Sequence, residues 1–206
     1  MKKIVVLFLL LTFMLTACNQ QVTNGSDKDI ISSNGEDNDN DLYGLHDIPD
    51  EKFLIIENRK TFNELGVSVT VPIDWRCMES NGEDGNTYFF RDPELGEKCQ
   101  FVLSVTGSEY LNERTEKEYL EYLICIAGKD AQINSFTKEK VKGYESTKIV
   151  SSYSLDNTNF IRIDFDNIVV GVRCYDFTIT YPTSENETFD DVFESILNSV
   201  KFQTTE

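Results

Sequence analysis

The chain has few residues that could support nucleophilic catalysis. A serine or cysteine nucleophile needs a neighbouring base, most often a histidine, and His46 is the only histidine among the 206 residues. It lies in a segment whose acidic, polar composition predicts disorder rather than a folded site. Ser-His-Asp and Cys-His arrangements therefore lack a suitable base, and the sequence predicts no catalytic residue.

One serine motif has the spacing of a known active site. Ser135 and Lys138 match the Ser-x-x-Lys element of penicillin-recognising enzymes, but the companion Ser-Asp-Asn and Lys-Thr-Gly elements are missing from the sequence. We interpret the match as chance.

Carboxylates are abundant, with 36 Asp and Glu residues in the chain. Asp164 and Asp166 share the polar face of an alternating segment, and a tight hairpin would place Arg162 opposite Asp176. We interpret this face as solvated, with one cross-strand ion pair. Two carboxylates acting as general acid and base, as in a hydrolase of the cell envelope, stay open as the alternative.

Asp37, Asp39 and Asp41 have the alternate spacing that opens an EF-hand calcium loop. The sixth residue of such a loop is a glycine and the twelfth is a carboxylate. Leu42 and Ile48 stand at these two positions instead. The sequence therefore predicts no metal site, and it predicts no cofactor.

Four cysteines follow residue 50, and none belongs to a close Cys-x-x-Cys pair: Cys77, Cys99, Cys125 and Cys174. This spacing argues against a zinc site and leaves buried thiols or disulfides. The predicted strand register sets Arg91 between Cys77 and Cys99, about 9 to 10 Å apart, which is too far for a disulfide. Cys125 and Cys174 could form a disulfide, with free burial as the alternative.

The N-terminus has the pattern of an export signal. Two lysines precede an apolar run over residues 4–15, which is shorter than the about 20 residues that span a membrane. The segment Leu15-Thr16-Ala17-Cys18 closely resembles the lipobox of bacterial lipoproteins. The resemblance implies cleavage between Ala17 and Cys18 and lipid attached to Cys18, with an ordinary secretory signal as the alternative.

Composition divides the chain into three predicted parts. Residues 1–17 are a lipoprotein signal peptide, residues 18–50 are a lipidated N-terminus and disordered acidic linker, and residues 51–206 are a globular domain. The formal charge is -17, and it becomes -19 when the leader and its two lysines are removed. This acidity excludes nucleic acid as a partner, because phosphates are bound by basic residues.

These three parts predict the cellular location of the protein and the kind of partner it binds. We expect a protein that lipid on Cys18 anchors to the extracytoplasmic face of the cell membrane. The composition, rich in Asn, Ile, Lys and Asp, favours a Gram-positive host. An unidentified protein or envelope polymer is the expected partner of the globular domain.

Alternation of apolar and polar residues predicts an α+β fold with an antiparallel sheet. Two segments with helical spacing follow capping-box motifs, Thr115-x-x-Glu118 and Ser184-x-x-Glu187. The predicted strands cover residues 66–72, 75–80, 87–91, 99–105, 133–141, 144–153, 160–166 and 172–181. We expect the helices to pack against this sheet.

Both ends of the predicted domain carry a family resemblance. Residues 61–75, TFNELGVSVTVPIDW, look like the opening of PsbP/Mog1-like domains, in which an aromatic residue precedes a Gly-led strand that ends in Pro and Trp. Residues 175–181 and the helical segment and tail over residues 189–202 are similar to the way that family closes. The resemblance implies an α/β sandwich built on an antiparallel sheet.

This resemblance implies docking or accessory roles rather than a reaction. The family's plant members are associated with the water-oxidising photosystem and its ions, and its eukaryotic members with a small GTPase. No functional residue of either group maps onto this chain. We therefore predict a non-enzymatic binding or docking module, with a carboxylate-dependent hydrolase, or an accessory subunit of a transporter or envelope enzyme, as alternatives.

Overall fold

The computed structural model describes residues 45–203, which form two antiparallel sheets and two α-helices. The helices are α1 (Glu116–Ala127) and α2 (Asn186–Ser199). The strands are β1 (Leu45–Asp47), β2 (Phe53–Ile56), β3 (Arg59–Glu64), β4 (Val67–Pro72), β5 (Arg76–Asn81), β6 (Gly85–Asp92), β7 (Gly96–Gly107), β8 (Gln132–Val141), β9 (Tyr144–Leu155), β10 (Thr158–Val170), β11 (Arg173–Pro182) and β12 (Lys201–Phe202). Short 3-10 turns lie at Asp50–Lys52, Ser108–Tyr110 and Thr183–Glu185.

The larger sheet has eight strands in the order β1-β5-β6-β7-β11-β10-β9-β8, and the smaller sheet has four in the order β12-β4-β3-β2. All strand pairs are antiparallel. This architecture confirms the predicted α+β class with an antiparallel sheet and packed helices.

The main hydrophobic core lies between one face of the larger sheet and a layer made of the smaller sheet and α2. Strand β4 buries every second residue, Val67, Val69 and Val71, against this core. From α2, Phe193 stacks on Tyr181 of β11, with ring centroids 5.3 Å apart. A smaller core of α1 and β9 residues covers part of the opposite face of the larger sheet. The two faces of the central strands therefore have different environments.

Helix α1 begins and ends where the sequence predicts. Thr115 accepts a hydrogen bond from the Glu118 backbone N–H at 3.3 Å, and the Glu118 carboxylate accepts one from the Thr115 backbone N–H at 2.9 Å. This confirms the capping box. Gly128 ends the helix with a φ of 95°, a conformation that glycine adopts at little cost. Among the residues that the structure describes, no helix has the length and apolarity of a membrane span.

The capping box predicted for the second helix is wrong. Helix α2 starts at Asn186, its N-cap is Glu185, and no side chain caps it. Ser184 lies inside the 3-10 turn Thr183–Glu185, so it does not stand at the extended N-cap position from which a serine side chain reaches the first helical N–H groups.

The folded part begins earlier than the predicted boundary at residue 51. Strand β1 pairs with β5, with His46 opposite Glu79, and Ile48 is buried in the main core. Residues 45–47 are ordered because they pair with β5 at the edge of the larger sheet and because Ile48 packs into the core. Strands β2, β3 and β12 were also not predicted as separate elements.

Candidate functional site

A polar pocket lies on the face of the larger sheet that is turned away from the main core. On β10 and β11, alternate residues point to this face, and Arg162, Asp164, Asp176 and Thr178 are among them. Helix α1 and the segment 108–114 that precedes it close over these side chains. The cavity is partly open to solvent and has a volume of about 370 Å³, and we call it the α1 pocket.

The base of the pocket is an internal ion pair. Arg162 Nε donates to Asp164 Oδ2 at 2.9 Å, and Arg162 Nη2 donates to Asp164 Oδ1 at 2.8 Å. Thr178 Oγ1 donates to the same carboxylate at 2.6 Å, and the Tyr119 hydroxyl donates to its other oxygen. Asp164 is only 1% exposed. A buried carboxylate needs such partners, and here four donor groups satisfy it.

This network raises the pKa of Arg162 and of Tyr119. Burial disfavours the charged guanidinium, but the charge and hydrogen bonds of Asp164 outweigh that effect, so the pKa of Arg162 is raised well above its ordinary value. Burial, together with the nearby Asp164 carboxylate, also raises the pKa of Tyr119. Tyr119 therefore stays a neutral hydrogen-bond donor that ties α1 to the sheet.

Two further carboxyl groups line the pocket where β10 contains a β-bulge. The register between β10 and β11 shifts between Phe165 and Ile168, so Asp166 and Asn167 together lie opposite Asp176. Asn167 has a φ of 66°, which is uncommon for a residue other than glycine. Its backbone N–H donates to Asp176 Oδ1 at 2.6 Å. The bulge thus brings the carboxyl groups of Asp166 and Asp176 to one end of the pocket.

The surroundings of the Asp166 and Asp176 carboxyl groups disfavour their ionised forms. Burial, followed by the charges of Asp164 and Asp176, raises the pKa of Asp166 to about 8. Burial also raises the pKa of Asp176, although the Asn167 N–H and the positive charge of Arg114 act in the opposite direction. Asp166 is therefore mainly protonated at neutral pH, which is an unusual state for an aspartate.

Aromatic rings form much of the remaining wall. Tyr122 of α1 carries the Arg114 guanidinium over its ring at 4.7 Å from the centroid, and its ring lies edge-on to Tyr119. Phe89 of β6 lines the cavity from the sheet, and Tyr110, which is 50% exposed, lines it from the segment before α1. The pocket therefore combines apolar ring faces with buried charged groups, as ligand sites commonly do.

The interpretation of this face as solvated is wrong. Asp164 is buried, and Asp166 and Asp176 are half-buried in the wall of the α1 pocket. The predicted ion pair between Arg162 and Asp176 does not form either, because Arg162 lies opposite Thr180. The hairpin is tight, with only Gly171 and Val172 between the paired residues Val170 and Arg173, but its turn lies later along the chain than the predicted pairing requires. Arg162 instead pairs with Asp164 on its own strand.

The cysteines are free thiols throughout residues 45–203. Cys125 is exposed on α1 and Cys174 is buried on β11, and no disulfide joins them. Of these two cysteines, only Cys174 fits the alternative of a buried free thiol. Cys77 and Cys99 lie on β5 and β7 with β6 between them, as predicted, although Cys77 pairs with Phe90 rather than Arg91. Burial raises the pKa of Cys174 to about 12, which keeps this thiol of the pocket protonated and unreactive.

Other candidates from the sequence contribute nothing to the pocket. Ser135 and Lys138 lie three residues apart on β8, so they point to opposite faces of that strand. Residues 45–203 contain no cluster of three or more metal-ligating side chains. Ala17, Cys18 and the acidic residues 37–41 lie outside the described residues.

Comparison with known proteins supports the fold. The solution structure of cyanobacterial PsbP (CyanoP) from Synechocystis sp. PCC 6803 aligns with 72% of this chain and 95% of its own, with a TM-score of 0.52 and 11% sequence identity. The chain has a PsbP-like fold. At this identity the comparison shows the fold of the PsbP-like domain and nothing about its ligands.

Other comparisons add little to this assignment. The crystal structure of LpqN, involved in cell envelope biogenesis of Mycobacterium tuberculosis, aligns with 66% of this chain and 83% of its own, with a TM-score of 0.44 and 11% identity. No protein-family model and no curated protein matches the chain. The function of the PsbP-like domain therefore has to be argued from its own residues.

One feature of the sequence indicates the pocket. Tyr119 and Tyr122 lie three residues apart on the face of α1 that meets the sheet. Tyrosines on a buried helix face need polar partners for their hydroxyl groups, and the alternating strands offered Asp164 and Thr178. Which helix covers which sheet face, however, depends on long-range packing that spacing alone does not give.

Proposed function

We propose that this protein is a lipid-anchored extracytoplasmic lipoprotein whose PsbP-like domain is a non-enzymatic binding module, with the α1 pocket as its ligand site. The observation that carries the proposal is a partly enclosed cavity in which the fold holds ionisable groups. A stable domain gains nothing by burying carboxyl groups that solvent would otherwise stabilise. Such a cost is expected where a ligand is bound.

The size and the lining of the pocket support a small ligand rather than a macromolecular chain. Its volume of about 370 Å³ is at the lower end of the range of small-molecule sites, roughly 300 to 1,000 Å³. Arg162 and Asp164 hold each other in fixed positions, so the base of the cavity is rigid. A rigid site loses little conformational entropy on binding.

The proposed address rests on Cys18 and its lipobox-like context. We expect cells that produce the wild-type protein to incorporate labelled palmitate into it and cells that produce Cys18→Ser to incorporate none, because the acyl chains are attached through this cysteine. Equal labelling of the two proteins would refute the lipid anchor without affecting the pocket.

The proposed site is tested by a thermal-shift screen of the full-length protein in detergent. The compounds are small amines, amino acids, sugars and dicarboxylates, and the matched variant is Ser104→Phe, which fills the cavity from β7. We expect one class to raise the melting temperature of the wild type by several degrees and to leave Ser104→Phe unchanged, because ligands stabilise the state that they bind. A shift of equal size in both proteins would contradict the pocket as the binding site.

A carboxylate-dependent hydrolase is the second candidate, and the pKa of Asp166 is the observation in its favour. A protonated carboxyl group beside another carboxyl group is the arrangement that general acid-base catalysis requires. Binding is preferred because Asp164 is already occupied by Arg162, Thr178 and Tyr119. Turnover of an envelope glycan or peptide that is lost in Asp166→Asn would favour the hydrolase.

An accessory subunit of a transporter or envelope enzyme would use the same pocket to deliver or sense a ligand. Neighbouring genes that encode such a machine would favour this form of the proposal. A binding module that acts alone would show no such gene context.

A further inference from the structure

The charges that line the α1 pocket balance only while Asp166 keeps its proton. Three carboxyl groups, those of Asp164, Asp166 and Asp176, face two guanidinium groups, those of Arg162 and Arg114. Arg162 is committed to Asp164 by two hydrogen bonds. The remaining two carboxyl groups therefore share the single positive charge of Arg114.

Arg114 is not placed to satisfy both of them. Its guanidinium stacks over the Tyr122 ring, and the described hydrogen bonds of the pocket include none from Arg114 to either carboxylate. It lowers the pKa of Asp166 and Asp176 only through its charge. One further positive charge, placed between Asp166 and Asp176, would allow both carboxyl groups to be ionised.

The wall of the pocket suits a cation of a particular kind. Tyr122, Phe89 and Tyr110 line the cavity, and guanidinium groups already lie over two of these rings, that of Arg114 over Tyr122 and that of Arg91 over Phe89. Aromatic rings attract ammonium and guanidinium groups through their negative faces. Asp176 accepts one hydrogen bond, at Oδ1, from the Asn167 N–H, so the carboxyl groups retain acceptor positions for the N–H donors of a ligand.

We propose that the α1 pocket binds a small organic cation, a primary amine or a guanidine, with its charged group held between Asp166 and Asp176 and its carbon chain against the aromatic wall. This inference rests on the proposed function of the pocket and names the chemistry of its ligand.

A bare metal ion fits the pocket less well. Within residues 45–203 no three carboxylate, cysteine or histidine side chains are grouped closely enough to coordinate a metal. An ammonium group needs only two or three acceptors at hydrogen-bond distance. An anion is disfavoured, because it would enter beside two carboxyl groups that already repel negative charge.

Binding of the cation releases one proton. Without ligand at neutral pH, Asp166 holds a proton because its pKa is about 8. The positive charge of the ligand lowers the pKa of Asp166, and the proton leaves Asp166 for the solvent. The ammonium or guanidinium group then neutralises the carboxylate in place of the proton. The net charge of the occupied pocket is thus unchanged, and affinity depends on pH.

The test is titration calorimetry of the full-length protein in detergent with three four-carbon probes: the diamine putrescine, the uncharged butanediol and the diacid succinate. We expect only putrescine to bind. At pH 7, measurements in two buffers of different ionisation enthalpy should show release of about one proton for each putrescine bound. Wild-type affinity should rise as the pH is raised toward 8 and then level off.

Two variants make the test specific. Asp166→Asn should bind putrescine at least about tenfold more weakly at pH 8 and show no rise in affinity with pH. Asp191→Asn removes the same charge from the exposed surface of α2, on the other side of the sheet, and should behave as the wild type. Equal affinities of these two variants, or binding of butanediol or succinate as strong as that of putrescine, would overturn the inference.

The two proposals fail in different ways. If a neutral or anionic compound stabilises the wild type but not Ser104→Phe, the binding module stands and the cationic ligand is wrong. If no compound or probe distinguishes the wild type from Ser104→Phe, both proposals are wrong.

Discussion

Replacing Arg162 by methionine should destabilise the protein by about 3 to 5 kcal/mol. The substitution removes the only cation within residues 45–203 that is hydrogen-bonded to Asp164. The Asp164 side chain is 2% exposed, and its carboxylate keeps only the hydroxyl groups of Thr178 and Tyr119 as described partners. A buried charge without its partner costs far more than the pair contributes when intact. Urea unfolding of the wild type and Arg162→Met, followed by circular dichroism, measures the difference.

Two control variants separate the buried charge from the loss of side-chain volume. In the double variant Arg162→Met/Asp164→Asn, both charges are gone, so we expect most of the lost stability to return. Arg91→Met removes an arginine that is as buried as Arg162 but whose ion-pair partner, Glu97, is 77% exposed. It leaves no buried carboxylate without a partner, so it should cost clearly less stability than Arg162→Met. If the double variant is as unstable as Arg162→Met, Asp164 is not a buried uncompensated charge and the described base of the pocket is wrong.

The second large effect concerns pH. The pKa of Asp166 is about 8 in the folded protein, above the about 4 of an aspartate in an unfolded chain. The folded state therefore holds a proton that the unfolded state has released, and the resulting stability is complete below about pH 4 and is lost as the pH rises through 8. Asp166→Asn carries no such proton, so its stability relative to the wild type should increase over this range.

Between pH 5 and pH 9, the free energy of unfolding of Asp166→Asn should increase by at least about 2 kcal/mol relative to that of the wild type, because each pKa unit corresponds to about 1.4 kcal/mol. The measurement is the free energy of unfolding in urea at several pH values. Asp191→Asn is the control, because its carboxylate is exposed on α2, and its difference from the wild type should stay constant. A constant difference for Asp166→Asn as well would mean that Asp166 titrates as a solvated group.

Local features of the fold were predictable because they depend on neighbouring residues. The Thr115 capping box and Gly128 mark the two ends of α1. The alternating residues of β10 and β11 indicate which side chains share a face. These signals need only the periodicity of a helix or a strand and the chemistry of its termini.

The pocket depends on contacts that are distant in sequence, and spacing does not reveal them. Tyr119 bonds to Asp164 across 45 residues, and only the packing of α1 over the sheet brings the two together. The turn between β10 and β11 lies at Gly171 and Val172, later than a pairing of Arg162 with Asp176 requires, and the alternation of the strand residues does not fix its position. Spacing also does not assign the covering helix to a face of the sheet, so polar residues on a strand predict a solvated face.

We infer that the polar face of the larger sheet is a partly enclosed site that holds a protonated carboxyl group for exchange with a ligand. The most direct test is a titration of the Asp166 carboxyl carbon by NMR, with Asp166→Asn used to assign the signal. We expect a midpoint of about 8. A midpoint of about 4, as for a solvated aspartate, would contradict this inference.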